Sequence, residues 1–182
     1  MTVKIGVLVG STRKNSFNRI IANKVIDLLP ERYEGEIVEI GQLPLYNQDY
    51  DLDNPKEYDE FREKLREYDA FIFQIPEHNR SFPAAIKNAL DIGSRPWGKN
   101  IWSGKPAAVF AASMGGAGGF GANYQLRQVL SVLNMPLLNQ PEVCIPKVHT
   151  LINKEGEIVQ DTLDFIENAV KAFVNHVDLY VK

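Results

Sequence analysis

The chain has 182 residues, 45% of them hydrophobic and 24% charged, which is enough to bury a sizeable core and ordinary for a globular protein. A net charge of −3 offers nothing to nucleic acid or to an anionic membrane, and the single cysteine, Cys144, excludes an internal disulfide and fits a reducing cytoplasm. The N-terminal apolar run is short and leads into a loop with two basic residues, so neither a secretory leader nor a membrane span is expected.

Val3–Val9 reads as a buried strand, followed by a hydroxyl-rich loop, Gly10–Asn18, and a helix from about Arg19 whose Ile20, Ile21, Val25, Leu28 and Leu29 share one face before Pro30. Glu36–Ile40 reads as the second strand. Pro55 opens a second helix with Tyr58, Phe61, Leu65 and Tyr68 inward, and its intervening charges of both signs form a solvated face. Ala70–Ile75 is too continuously apolar to have a wet face. A helix over Pro83–Ile92, a strand over Pro106–Ala112, a glycine-rich loop and a helix carrying Leu126, Val129, Leu130 and Leu133 come next. Glu142–Ile145 is a short last strand, and Leu163, Ile166, Val170, Phe173, Val174 and Val177 define a last helix. Strands alternating with helices in this way predict one α/β domain over residues 1–182, a doubly wound five-stranded parallel sheet with helices on both faces.

The loop after the first strand is the first chemical signal. A strand turning into a helix presents free backbone N–H groups and the positive end of a helix dipole. Ser11, Thr12 and Ser16 add hydroxyls, and Arg13 adds a fork matched to phosphate oxygens. The loop lacks the Gly-x-Gly-x-x-Gly spacing of a dinucleotide site and the Gly-Lys-Ser/Thr ending of a nucleoside triphosphate loop, so it suits a terminal phosphate monoester. The alternative on this segment alone is a helix capped by Ser16 or Asn18 with Arg13 in solvent.

Open α/β sheets bind ligands where loops leave the carboxyl ends of their strands. The loops after the first, third and fourth predicted strands have the most unusual compositions: the hydroxyl-rich cup, Pro76–Pro83, and Ser113–Gly119. Other residues read plainly. Glu39 is a surface charge, Cys144 is inert core, and His149 and His176 lack a spaced ligand cluster, so no metal is expected. Trp97 and Trp102 suit a substrate wall, a subunit contact or ordinary packing equally.

Taken in order, several segments carry a resemblance. They are Gly10-Ser11-Thr12-Arg13 with Ser16 and Asn18; Leu43–Asp49; Pro76-Glu77 with Asn79 and Ser81; Lys87–Asp91; Ser94-Arg95-Pro96; Gly104–Ala108; the Ser113 and glycine loop; Leu126-Arg127; and Pro141-Glu142-Val143. With these, the chain resembles the NADPH-dependent FMN reductase family, the flavodoxin-like enzymes that include azoreductases, quinone reductases and chromate reductases.

The resemblance implies a flavodoxin-like fold and an FMN cofactor, with NADPH or NADH as co-substrate. Hydride would pass from nicotinamide to flavin N5 and on to a small-molecule acceptor: a quinone, an azo compound, a flavin or a metal oxyanion. It implies that Ser11, Arg13, Ser16 and Asn18 hold the FMN phosphate. Pro76, Glu77, His78 and Asn79 would line the isoalloxazine, largely through main-chain amides, with Ser113, Gly115, Gly116 and Gly118 on its other side, and Ser81 is a further cofactor-binding residue. No side chain need act as a catalytic nucleophile. It further implies a homodimer or homotetramer with the Lys87–Asp91 helix at the contact. In two places the chain departs from the pattern, with His78 for the usual Tyr and Ile92 for an aromatic. His78 reads as a ring of similar shape, the alternative being a proton donor to reduced flavin or quinone. The contrasting class is a non-enzymatic flavodoxin-like electron carrier or redox sensor.

Overall fold

The computed structural model describes residues 2–181. Its strands are β1 (Val3–Val9), β2 (Tyr33–Val38), β3 (Ala70–Ile75), β4 (Ala107–Ala112) and β5 (Val143–Ile145). Helices α1 (Phe17–Asp27), α2 (Lys56–Arg66), α3 (Ala84–Ser94), α4 (Phe120–Val132) and α5 (Gln160–Val177) alternate with them. All strand pairs are parallel, in the order β2-β1-β3-β4-β5. The chain moves outward in one direction from β1 to β2 and in the other from β3 to β5. Loops leaving β1 and β3 therefore diverge, opening a crevice at their carboxyl ends.

Two cores flank the sheet because strand side chains alternate between its faces. On one face Val3, Ile5, Val7, Ile72 and Phe110 pack against Ile21, Val25, Ile166, Val170 and Phe173 of α1 and α5. On the other, Leu8, Phe71, Phe73, Ile75 and Val109 meet Tyr58, Leu65, Ile86, Leu90, Leu126 and Leu130 of α2, α3 and α4. At roughly 1.5–3 kcal/mol for each fully buried large apolar side chain, these two layers drive folding.

Element boundaries differ from those expected where long-range pairing outweighs local pattern. β2 begins three residues before Glu36, because its register is set against β1 from Val3–Tyr33 to Leu8–Val38; Ile40 is buried beyond the strand. Within β2, Gly35 allows the end of α1 to approach: a Cβ there would lie 3.1 Å from Ile26 of the helix and 2.7 Å from Leu29 just beyond it. Tyr68 lies past the end of α2 but remains buried, edge-on to Phe71. Trp102 is core, with its indole N–H donating to Leu90 O at 3.0 Å, whereas Trp97 is 89% exposed. Cys144 is half-buried, and that burial raises its thiol pKa. No helix among the described residues is long and apolar enough to cross a membrane.

Candidate functional site

The loops after β1, β3 and β4 meet in one open cleft, with about 690 Å³ of space counting its solvent-filled mouth. Ser11, Arg13, Ser16, Asn18, Pro76, Glu77, His78, Ser113 and Gly115 all line it. Asn79, Ser81, Gly116 and Gly118 do not, for reasons given below. Phe17, Ala112, Met114 and Val148 line it without having been singled out in the sequence. Val148 comes from the segment after β5, whose backbone N–H donates to Ser113 O at 3.1 Å. Nothing local to Val148 marks it, since backbone bonds joining Ile145, Lys147 and Val148 to Ser113 and Gly115, distant in sequence, bring it to the cleft.

The first wall is the cup. Ser16 occupies the cap position of α1, yet its side chain makes no capping hydrogen bond, so the simple cap does not describe it. Ser11 and Ser16 are 8% and 3% exposed, and neither hydroxyl bonds another protein group among the described residues. Phe17 and Asn18, the first residues of the helix, have backbone N–H groups without intrahelical acceptors. Arg13 is exposed and takes part in no ion pair among the described residues. Buried hydroxyls, free helix-terminal amides and an unpaired guanidinium form a donor set matched to a phosphate dianion.

Asn18 is engaged differently from what its sequence position implies. Its Nδ2 donates to Ala112 O at 3.2 Å, and its Oδ1 accepts from Gln74 Nε2 at 2.8 Å. Gln74 is fully buried on β3, on the face that meets α1, and its backbone oxygen accepts from Gly10 N–H at 2.9 Å. The pair ties the first turn of α1 to the ends of β1, β3 and β4. The side chain of Asn18 thus aims the cup, and its backbone amide remains available to a ligand.

The second wall is a turn. His78 N–H donates to Ser81 O at 2.8 Å and Ser81 N–H to His78 O at 2.9 Å, closing a hairpin over Asn79 and Arg80. Both central residues have positive φ, 50° and 67°, as a primed turn requires. Glu77 lines the opening with its carboxylate held by the protein: Oε2 accepts from Ala122 N–H at 3.3 Å, placing a carboxylate at the positive end of α4, and Oε1 lies 3.6 Å from Arg80 Nη1. Ser81 Oγ donates to Gln125 Oε1 at 2.7 Å, which keeps it out of the cleft. The imidazole of His78 is exposed at the cleft and bonds no protein group among the described residues.

The glycine loop forms the third side. Ser113 Oγ accepts from Gly115 N–H at 3.1 Å, and Gly115 O accepts from Lys147 N–H at 3.2 Å. Gly118 serves packing: at φ 63°, a Cβ there would lie 2.7 Å from the backbone of Cys144. Gly116 has open space around it.

Residues 3–150 match the model of the family described as NADPH-dependent FMN reductase. A quinone reductase of Pseudomonas putida is 46% identical over 176 residues, covering 96% of this chain and 95% of that protein. A 2-hydroxy-1,4-benzoquinone reductase of a Burkholderia species is 42% identical over 168 residues, covering 92% of each. Among solved structures, the flavoenzyme NAD(P)H:(acceptor) oxidoreductase FerB of Paracoccus denitrificans superposes with a TM-score of 0.91 at 34% identity, over 98% of this chain and 99% of that one.

Proposed function

Because the chain belongs to the NADPH-dependent FMN reductase family and is an NAD(P)H-dependent FMN oxidoreductase, we propose that its physiological acceptor is a quinone and that the cleft between the β1, β3 and β4 loops holds the flavin. The observation carrying this reading is the convergence of nine candidate residues from three separate loops on a single opening. Quinone as acceptor rests on the quinone reductase and 2-hydroxy-1,4-benzoquinone reductase relatives.

The donor set of the cup fits the FMN phosphate. Ser11 and Ser16 hydroxyls, the Arg13 guanidinium and the Phe17 and Asn18 amides would hold it, while the Asn18 side chain keeps α1 aimed. Main-chain groups of Pro76–His78 and the Ser113–Gly115 turn would border the ring. The bound FMN supplies the hydride-accepting and hydride-donating chemistry that no side chain provides. His78 contributes a ring beside the acceptor space, and Met114, 57% exposed, forms an apolar lip to it. Gly116 and Gly118 act through the course of the glycine loop.

The reading extends to one flavin-binding domain over residues 1–182, working in the cytoplasm as a homodimer or homotetramer. Association along α3 is supported by the apolar residues around it. Asn88 of α3 holds the loop after β2 through Leu43 O and Pro44 O; Leu45 in that loop and Trp97, just after α3, are 79% and 89% exposed. Size-exclusion chromatography with light scattering tests this: a monomer at micromolar concentration overturns it.

Absorption spectra before and after anaerobic NADPH or NADH, followed by a benzoquinone, test the activity. Flavin bands that bleach with nucleotide and return with quinone support the reading. Bands that bleach but stay bleached with quinone overturn the acceptor assignment.

A further inference from the structure

We propose that Gln125 is a positioning residue for the cofactor: from the face of α4 it holds the strained His78–Ser81 turn, so that this wall of the cleft is formed before FMN arrives. The inference rests on the cofactor assignment and concerns a residue outside the cleft lining.

Asn79 and Arg80 are adjacent non-glycine residues with φ of 50° and 67°. Left-handed backbone is disfavoured for a residue that carries a Cβ, less so for Asn, whose short polar side chain tolerates that region. Strain of this kind persists only where the surroundings over-determine it. The two bonds between His78 and Ser81, with Arg80 Nη1 3.6 Å from Glu77 Oε1, fix the shape of the turn but do not tie it to a helix.

Three contacts tie it to α4. Gln125 uses both ends of its carboxamide, with Oε1 accepting from Ser81 Oγ at 2.7 Å and Nε2 donating to Arg80 O at 2.9 Å. One turn earlier, Ala122 N–H donates to Glu77 Oε2 at 3.3 Å. Between them Gly121 lets the backbone come close: a Cβ there would lie 3.1 Å from both Arg80 O and Glu77 Oε2. Residues 121, 122 and 125 share one helix face, as their spacing requires. Two of the three contacts, both from Gln125, are made by a side chain of α4. Gln125 is itself exposed, so its replacement leaves the core intact.

The test compares Gln125→Ala and Gln125→Glu with the wild-type chain. Glutamate keeps an acceptor for Ser81 Oγ and loses the donor to Arg80 O. Hydrogen–deuterium exchange of residues 77–81 is measured with and without FMN, and FMN affinity by fluorescence titration of the flavin-stripped protein. The expected result is exchange at least about fivefold faster at 77–81 in Gln125→Ala without FMN, with the sheet unchanged. FMN dissociation constants should rise roughly tenfold in Gln125→Ala and by less in Gln125→Glu, the scale of one or two hydrogen bonds. Gly121→Ala presses on the same turn from beneath and should speed exchange in the same segment.

Dissociation constants within twofold of wild type, with unchanged exchange at 77–81, would overturn the proposal. So would faster exchange spread evenly through α4, which would make Gln125 an ordinary helix-surface residue. A wild-type chain that takes up no FMN breaks the cofactor assignment instead.

Discussion

The two walls of the cleft are built by different means. In the cup, Ser11, Ser16 and Arg13 keep side-chain donors free of other protein groups among the described residues, whereas Asn18 is engaged internally. Across the opening, the side chains of Glu77, Ser81 and Ser113 are all engaged by the protein, while the backbone takes left-handed turns at Asn79 and Arg80. A compact dianion is best met by charged and hydroxyl donors that converge on it. A flat, largely apolar ring needs a shaped backbone that can lie close without bulk. The difference predicts that mutations in the cup act on affinity for charge, and that mutations across from it act through shape.

The largest expected effect lies on the shape side. Gly118→Val adds side-chain atoms where the backbone of Cys144 lies 2.7 Å from a Cβ, at a φ of 63°. Overpacking and left-handed strain together should cost roughly 2–4 kcal/mol. Thermal denaturation should show a lowered midpoint and the purified protein should carry little flavin; an unchanged midpoint would show that the loop has room to move.

Arg13→Ala comes next and tests the charge side. FMN affinity should fall by about 1.5–3 kcal/mol, the scale of a charge-assisted hydrogen bond, with little change in thermal midpoint. Its loss should also flatten the salt dependence of FMN binding. Equal affinity for FMN in both proteins would remove Arg13 from the cup.

Asn18→Ala should reverse that pattern. It leaves Ala112 O and Gln74 Nε2 without partners in a buried site, costing about 1–3 kcal/mol of stability. Denaturant unfolding should reveal that loss. A large fall in FMN affinity at unchanged stability would instead put the carboxamide on the phosphate.

His78→Tyr should keep flavin affinity within about twofold, because the turn binds through its backbone, and shift the relative KM values of different quinones. Complete loss of turnover with flavin retained would make the imidazole a proton donor.

The last prediction belongs to the opposite end of the sheet and, with the smallest expected effect on FMN binding, serves as a control. Lys105 Nζ donates to Leu65 O at 2.8 Å near the end of α2, and burial pulls its pKa down to about 8 from the usual 10.5. Between those values the unfolded chain binds more protons than the folded one, so this group's contribution to stability rises with pH from about 8 to 10.5. The stability difference between wild type and Lys105→Met should therefore grow in favour of wild type over that window, with no change in FMN affinity. A difference that is flat with pH would show that Lys105 titrates alike in both states.

Much of this was legible along the chain. Ala70–Ile75 and Ala107–Ala112 declared buried strands by their continuous apolar runs, and the spacing of Ile166, Val170, Phe173 and Val177 declared α5. The cup was legible because its donors are contiguous. Glu77, Ser81 and Gly118 were harder. Their residue types mark a site, but whether each faces a ligand or another loop depends on α4 and β5, which lie far along the chain. Gln125 gave no signal at all, for a polar residue on a helix surface looks alike whether or not a turn docks against it.

What the sequence alone determined, then, is the set of local elements: strands and helices written in their periodicities, a contiguous run of hydrogen-bond donors after β1, and the family written in ordered motifs. The tertiary structure decided which donors remain free, which side chains turn away, and which distant residues, Val148 and Gln125 among them, complete the walls. The reason is physical. Periodicity and capping act over one or two turns of chain, whereas the side of the cleft on which a group falls is set by strand order and by hydrogen bonds between segments distant in sequence.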